Sequence, residues 1–158
     1  TPERRAELRL AVDVGSVVEE EQERGLAHFV EHMAFNGTRA YAKQEIVSFL
    51  ERMGMRFGAH LNAYTGFDET VYQLTLPTDS AGVLSRGIDI LGEWAGAVAF
   101  DSLEVERERP VVIEEWRLGQ GAGSRLREQQ LPVIFHGSRY AARLPIGESA
   151  RHLSESIQ

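Results

Sequence analysis

The sequence contains no cysteine. That absence excludes a disulfide framework, a thiolate nucleophile and thiolate metal ligands, and it fits a reducing or an oxidising compartment equally. Long apolar runs are missing too. None reaches the roughly 18 residues that a membrane-spanning helix needs. Positive charge is scarce relative to negative: 17 Lys and Arg stand against 24 Asp and Glu, a formal net charge of −7. A phosphate backbone calls for a basic face, so nucleic acid is not an expected partner. No internal repeat or low-complexity linker interrupts the 158 residues, which excludes a collagen-like repeat, a coiled-coil rod and a disordered tail. Hydrophobic residues at 42% and charged residues at 26% are ordinary for one globular domain. Thr1-Pro2-Glu3-Arg4-Arg5 resembles no signal peptide, and Ser154 to Gln158 brings no strong stop. The chain reads as a single domain, residues 1–158, truncated at both ends.

Periodicity divides the chain into strands and helices. Residues 7–14 alternate, with Leu8, Leu10, Val12 and Val14 on one face, and predict a half-buried strand ending at Gly15-Ser16. The acidic run from Glu19 to Arg24 reads as a solvated loop. Helices are predicted over 26–35, stopped by Asn36-Gly37, and over 43–53, stopped by Gly54. Residues 56–65 and 70–76 read as a hairpin around Gly66-Phe67-Asp68. A long helix over 77–99 would bury Val83, Leu84, Ile88, Leu91, Trp94, Ala95 and Val98, against the weakening effect of four glycines. Asp101 opens a further helix to about residue 118, with Pro110 on the face away from its Val105, Val112 and Trp116 stripe. Gly119, Gly121 and Gly123 form a flexible loop before a short helix over 125–130. The order of elements predicts an α+β domain, with helices on one face of a mixed, mostly antiparallel sheet.

The chemistry concentrates in His28-Phe29-Val30-Glu31-His32. Positions i and i+4 lie one turn apart on a helix, so His28 and His32 can reach one metal ion. Glu31 stands beside them, within reach of a water on that metal. The spacing inverts the H-E-x-x-H arrangement, and neutral imidazoles suit Zn²⁺. Apolar neighbours make the pair semi-buried, where unpartnered imidazoles are costly. Two histidines do not complete a site. His60, His136 and His152 are available, but the carboxylates are better placed. On the helix of Asp101, Glu108 and Glu115 are seven apart and share one edge of the apolar stripe, whereas Glu114 points to the opposite side. Two acids bordering an apolar face are expensive without a cation.

These residues together resemble the insulinase/pitrilysin family of zinc peptidases, and most of all its bacterial PqqL-type members. The likeness runs through residues 25–38, through Leu61-Asn62-Ala63-Tyr64-Thr65, through the helix of Glu108 and Glu115, and through Arg139-Tyr140 and Leu144-Pro145-Ile146-Gly147. By that resemblance His28, His32 and Glu115 are zinc ligands, Glu31 is the general base and Glu108 supports the site. Asn62 and Ala63 would sit on a substrate-binding edge strand. The resemblance implies a zinc endopeptidase domain acting on peptides or small proteins, with Zn²⁺ as cofactor and a periplasmic location. It also implies a partner: a second, similar half that closes the chamber and brings an Arg and a Tyr to the oxyanion. Arg139-Tyr140 is not that pair. One rival reading is a non-catalytic half that binds peptides or a partner subunit, although such proteins usually lose a ligand or the base. The other is the S-ribosylhomocysteine lyase family, which shares the H-x-x-E-H helix but wants a Cys ligand.

Overall fold

The computed structural model describes residues 4–146. Gly147, His152 and the segment Ser154 to Gln158, singled out above, lie outside the described residues. Three strands form the sheet: β1 (Arg5–Val12), β2 (Leu61–Thr65) and β3 (Thr70–Pro77), in the order β1-β3-β2. Both pairings are antiparallel. The one parallel contact is the isolated bridge Phe57↔Leu61, so among the described residues the sheet itself is not mixed. The register sets Leu8 and Leu61 against Leu74, and Leu10 and Ala63 against Tyr72. Because side chains alternate along a strand, these residues share one face. That face carries the helices.

Among the described residues apolar spacing yields five α-helices: α1 (Leu26–Asn36), α2 (Glu45–Arg52), α3 (Val83–Gly96), α4 (Ser102–Gly119) and α5 (Ala122–Ile134). α1 packs on β2 and β3, and α3 packs on β1 and β3. The main core gathers Leu50, Leu61, Leu74, Leu76 and Ile90 with Ile46, Tyr72 and Trp94. Trp94 also ties α3 to α1 by donating its indole N–H to the Ala34 carbonyl at 3.0 Å.

Four expectations change. The 77–99 helix begins only at Val83, and its buried positions are Val83, Gly87, Ile90 and Trp94. Leu84 and Ile88 are exposed. The reason is Gly87: a Cβ there would stand 2.1 Å from Leu76 Cδ1 and 3.0 Å from Leu8 Cδ1. The helix turns its narrowest residue to the sheet, and Leu84 and Ile88 rotate outward. The 56–65 strand shortens to Leu61–Thr65, because Gly58 adopts φ 81° and the chain turns there. The helix expected over 125–130 extends to Ala122–Ile134 and absorbs Gly123, so the glycine loop shrinks to a break at Gln120-Gly121. Trp116 is only half-buried and lines a cleft instead of the core. Asp101 caps α4 as expected, accepting from Leu103 N–H at 2.9 Å and Glu104 N–H at 3.2 Å. Pro110 lies on its exposed side without ending the helix.

Candidate metal centre

α1 starts at Gly25 (φ 85°) and stops at Gly37 (φ 138°), two backbone conformations that favour glycine. Between them His28, Phe29, Glu31, Met33 and Ala34 are buried. Phe29 and Met33 meet Val112 of α4 in a small second core. This contact sets α4 across α1 and turns Glu108 and Glu115 towards the histidines. Glu114, on the other side, is exposed and pairs with Arg117.

The side chains converge. Glu115 Oε2 lies 3.1 Å from His32 Nε2 and 3.7 Å from His28 Nε2. The two rings meet edge to face with centroids 4.7 Å apart. One ligand atom from each of His28, His32 and Glu115 falls within 4.8 Å of the others. His60 accepts a backbone bond from Arg56 within its own turn, and His136 is exposed; neither joins this group. Two imidazole nitrogens and one carboxylate oxygen around a common point fit a tetrahedral metal with one position open. The other nitrogen of the His28 ring, Nδ1, is buried and has no hydrogen-bond partner among the described residues, and a metal on Nε2 would leave it so.

Protonation follows from the surroundings. Burial, helped by the nearby His32, pulls His28 down to about 4, so its ring is neutral and free to ligate. Burial also acts to lower His32. The hydrogen bond to Glu108 and the charges of Glu115, Glu108 and Glu31 outweigh it and raise that pKa. Glu108 is lowered in turn, chiefly by the His32 hydrogen bond. His32 Nδ1–H donates to Glu108 Oε1 at 2.9 Å, which leaves Nε2 facing Glu115. A carboxylate behind a ligating imidazole fixes its tautomer and orientation. Burial raises Glu31 above the ordinary carboxylate value, opposed by the Thr65 hydroxyl, which donates to Oε2 at 2.6 Å.

Two clefts meet at this point. One of about 990 Å³ runs past His28, Tyr64 and residues 141–146, and one of about 600 Å³ runs past His32, Phe35 and Phe57. Glu31, Ala63 and Glu115 line both. Ala63 belongs to β2, an edge strand. The Thr75 N–H bonds the His60 carbonyl and the Gly66 N–H bonds the Glu69 carbonyl. Antiparallel pairing alternates, so the even-numbered residues of β2 bond to β3 and the main chain of Ala63 faces the open edge. Asn62 pairs with Gln73, is exposed and borders the smaller cleft.

Three residues escaped the sequence reading. Thr65 orients Glu31, and Asn36, read only as a helix stop, donates to Glu108 Oε2 at 2.7 Å. Glu19 corrects the reading of its segment as solvated: it is 5% exposed and accepts from Gly25 N–H and Ala27 N–H, each at 2.8 Å. The available signal was a helix whose first residues offer no capping side chain.

Known proteins share this chain's sequence and fold. The family model described as Insulinase (Peptidase family M16) matches residues 1–135. The chain is 46% identical over 146 residues to the zinc protease PQQL-like protein of Arabidopsis thaliana, covering 92% of this chain and 15% of that protein. The first half of the periplasmic protease PqqL from Escherichia coli superposes with a TM-score of 0.90 at 42% identity, covering 96% of this chain and 32% of that one. The ferredoxin protease FusC, in complex with Arabidopsis ferredoxin, superposes at 0.86 with 31% identity, covering 99% of this chain and 17% of that one.

Proposed function

The chain belongs to the insulinase family of peptidases, M16, and from that premise we propose that it carries the metal centre of a zinc endopeptidase. The observation that carries the reading is the convergence of His28, His32 and Glu115 within 4.8 Å, with Glu31 beside them. These three residues would hold Zn²⁺. When bound, the ion would polarise a substrate carbonyl and acidify a water.

The chain's own residues supply the rest. Thr65 occupies Glu31 Oε2 and leaves Oε1 to accept the proton of the attacking water. Burial raises the proton affinity of Glu31, so it can take that proton and later return it to the leaving amine. Glu108 holds the His32 ring by its Nδ1–H, and Asn36 holds Glu108. A peptide would add to the open edge of β2 by pairing with the main chain of Ala63, an interaction that tolerates many sequences. Asn62 would border its path.

The substrate class is peptides or small proteins, in keeping with the ferredoxin bound in the FusC structure. The chain spans 15% of the length of the Arabidopsis relative. Residues 1–158 would act as one zinc-binding unit, with a second, similar half completing the chamber. The periplasm, named for the Escherichia coli protease, is the proposed location.

Elemental analysis of the purified chain, after loose metal is removed, tests the site. About one zinc per chain is expected. A folded sample with none would overturn the ligand set.

A further inference from the structure

Glu19 does more than end a loop. Gly25, the N-cap of α1, has φ 85° and no side chain to offer. The carboxylate of Glu19, six residues earlier, takes over that task for the Gly25 and Ala27 N–H groups. A buried carboxylate is an expensive cap, where Ser or Asp at the N-cap itself would serve more cheaply. The remote residue adds a connection that a local cap lacks. Its main-chain oxygen accepts from Arg139 Nη2 and from Arg143 Nε, the latter at 3.1 Å. Arg143 also pairs with Glu21 at 3.1 Å, and its carbonyl accepts from Ser16 Oγ at 2.6 Å. Glu19 is thereby fixed on its backbone side by Arg139 and by Arg143, which lines the larger cleft with it. On its side-chain side it fixes the first turn of α1.

Ala27, whose N–H it holds, directly precedes His28. The His28 ring has no hydrogen bond at Nδ1 to aim it. Its direction is therefore set by the backbone of that first turn. We propose that Glu19 is a positioning residue for His28, setting the first turn of α1 so that Nε2 meets His32 and Glu115. This rests on the zinc-centre reading above.

The test titrates zinc, against a chromophoric competitor, into the metal-free 158-residue chain: wild type, Glu19→Ala and Glu19→Gln. The Co²⁺ absorption spectrum and the metal-free melting midpoint of each are recorded alongside. Glu19→Ala is expected to bind zinc about 10- to 100-fold more weakly, the usual cost of losing an outer support of a metal ligand, with an altered Co²⁺ spectrum. Glu19→Gln, with one accepting oxygen, should fall between. A folded Glu19→Ala with wild-type zinc affinity and Co²⁺ spectrum overturns the proposal, even if its midpoint drops, since the role would then be structural only. If Glu19→Ala does not fold, Glu19→Gln decides: weakened binding supports the role and unchanged binding overturns it. Failure of the wild type itself to take up zinc would instead overturn the metal-centre reading, and this proposal with it.

Discussion

α1 buries five of its 11 residues, whereas α4 buries one of its 18. Both helices bring ligand-type side chains to the same point. His28 and Glu31 are buried on α1, but Glu115 reaches in from a helix held to α1 through Val112, with Val105 beside it. Its side chain is 48% exposed. The difference teaches that one half of the centre is built by the core and the other by hydrogen bonds. Glu108 matters for this reason: its bonds to His32 and Asn36 are the polar stitches that hold α4 in place where apolar contact is thin.

Substitutions can break or sharpen this contrast. The largest effect should come from α1. Glu31→Gln should retain zinc while hydrolysis by the full-length protein falls about 10²- to 10⁴-fold, the usual contribution of a general base. Normal activity in that variant would remove Glu31 from the proton-transfer role. Next comes packing. Met33 is 0% exposed, and Met33→Ala should cost about 2–5 kcal/mol in urea unfolding of the metal-free chain. Val112→Ala, its partner across the interface, should cost about 2 kcal/mol, because only two methyl-sized groups are lost. Equal losses would erase the asymmetry between the helices.

Glu108→Gln should weaken zinc binding by about 10- to 100-fold while leaving α1 intact. The same variant exposes a pH dependence in the metal-free chain. Glu108 has a lowered pKa, so its contribution is present above the ordinary carboxylate value and is lost as pH falls through the lowered one. His32 has a raised pKa, so its contribution is present below the ordinary imidazole value and is lost as pH rises through the raised one. The difference in unfolding free energy between wild type and Glu108→Gln should therefore peak between these limits and shrink on both flanks. A difference that stays flat with pH would show that the pair contributes no charge coupling. The smallest effect belongs to the exposed flank of α4, where Leu118 is 80% exposed. Leu118→Ala should change stability by no more than about 0.5 kcal/mol.

The legible part of this site is the local part. His28, Glu31 and His32 follow from a one-turn spacing, and Glu108 and Glu115 from a two-turn spacing on one helix edge. Both patterns survive folding because a helix preserves them. The polar supports are different. Thr65 meets Glu31 only because β2 runs beside α1, and Asn36 meets Glu108 only because α4 crosses α1. Neither contact leaves a periodic trace. Glu19 misled for a further reason: charge in a run normally means solvent, and its main chain is held by Arg139 and Arg143, some 120 residues away. On α3, counting apolar residues found Val83 and Trp94 but wrongly added Leu84 and Ile88, since the face towards the sheet is selected by the smallness of Gly87.

That last feature divides the glycines of α3 for anyone seeking a more heat-resistant chain. Gly92 and Gly96 have open space where a methyl group would go. Alanine at either should raise stability by roughly 0.4–1 kcal/mol, since it leaves the unfolded chain less freedom to lose than glycine does. At Gly87 the same exchange drives a methyl group into Leu76, and overpacking of a tight core costs about 1–3 kcal/mol. A rule that improves the helix at two positions thus reverses sign at the third, where the glycine is the spacer that sets the distance between helix and sheet.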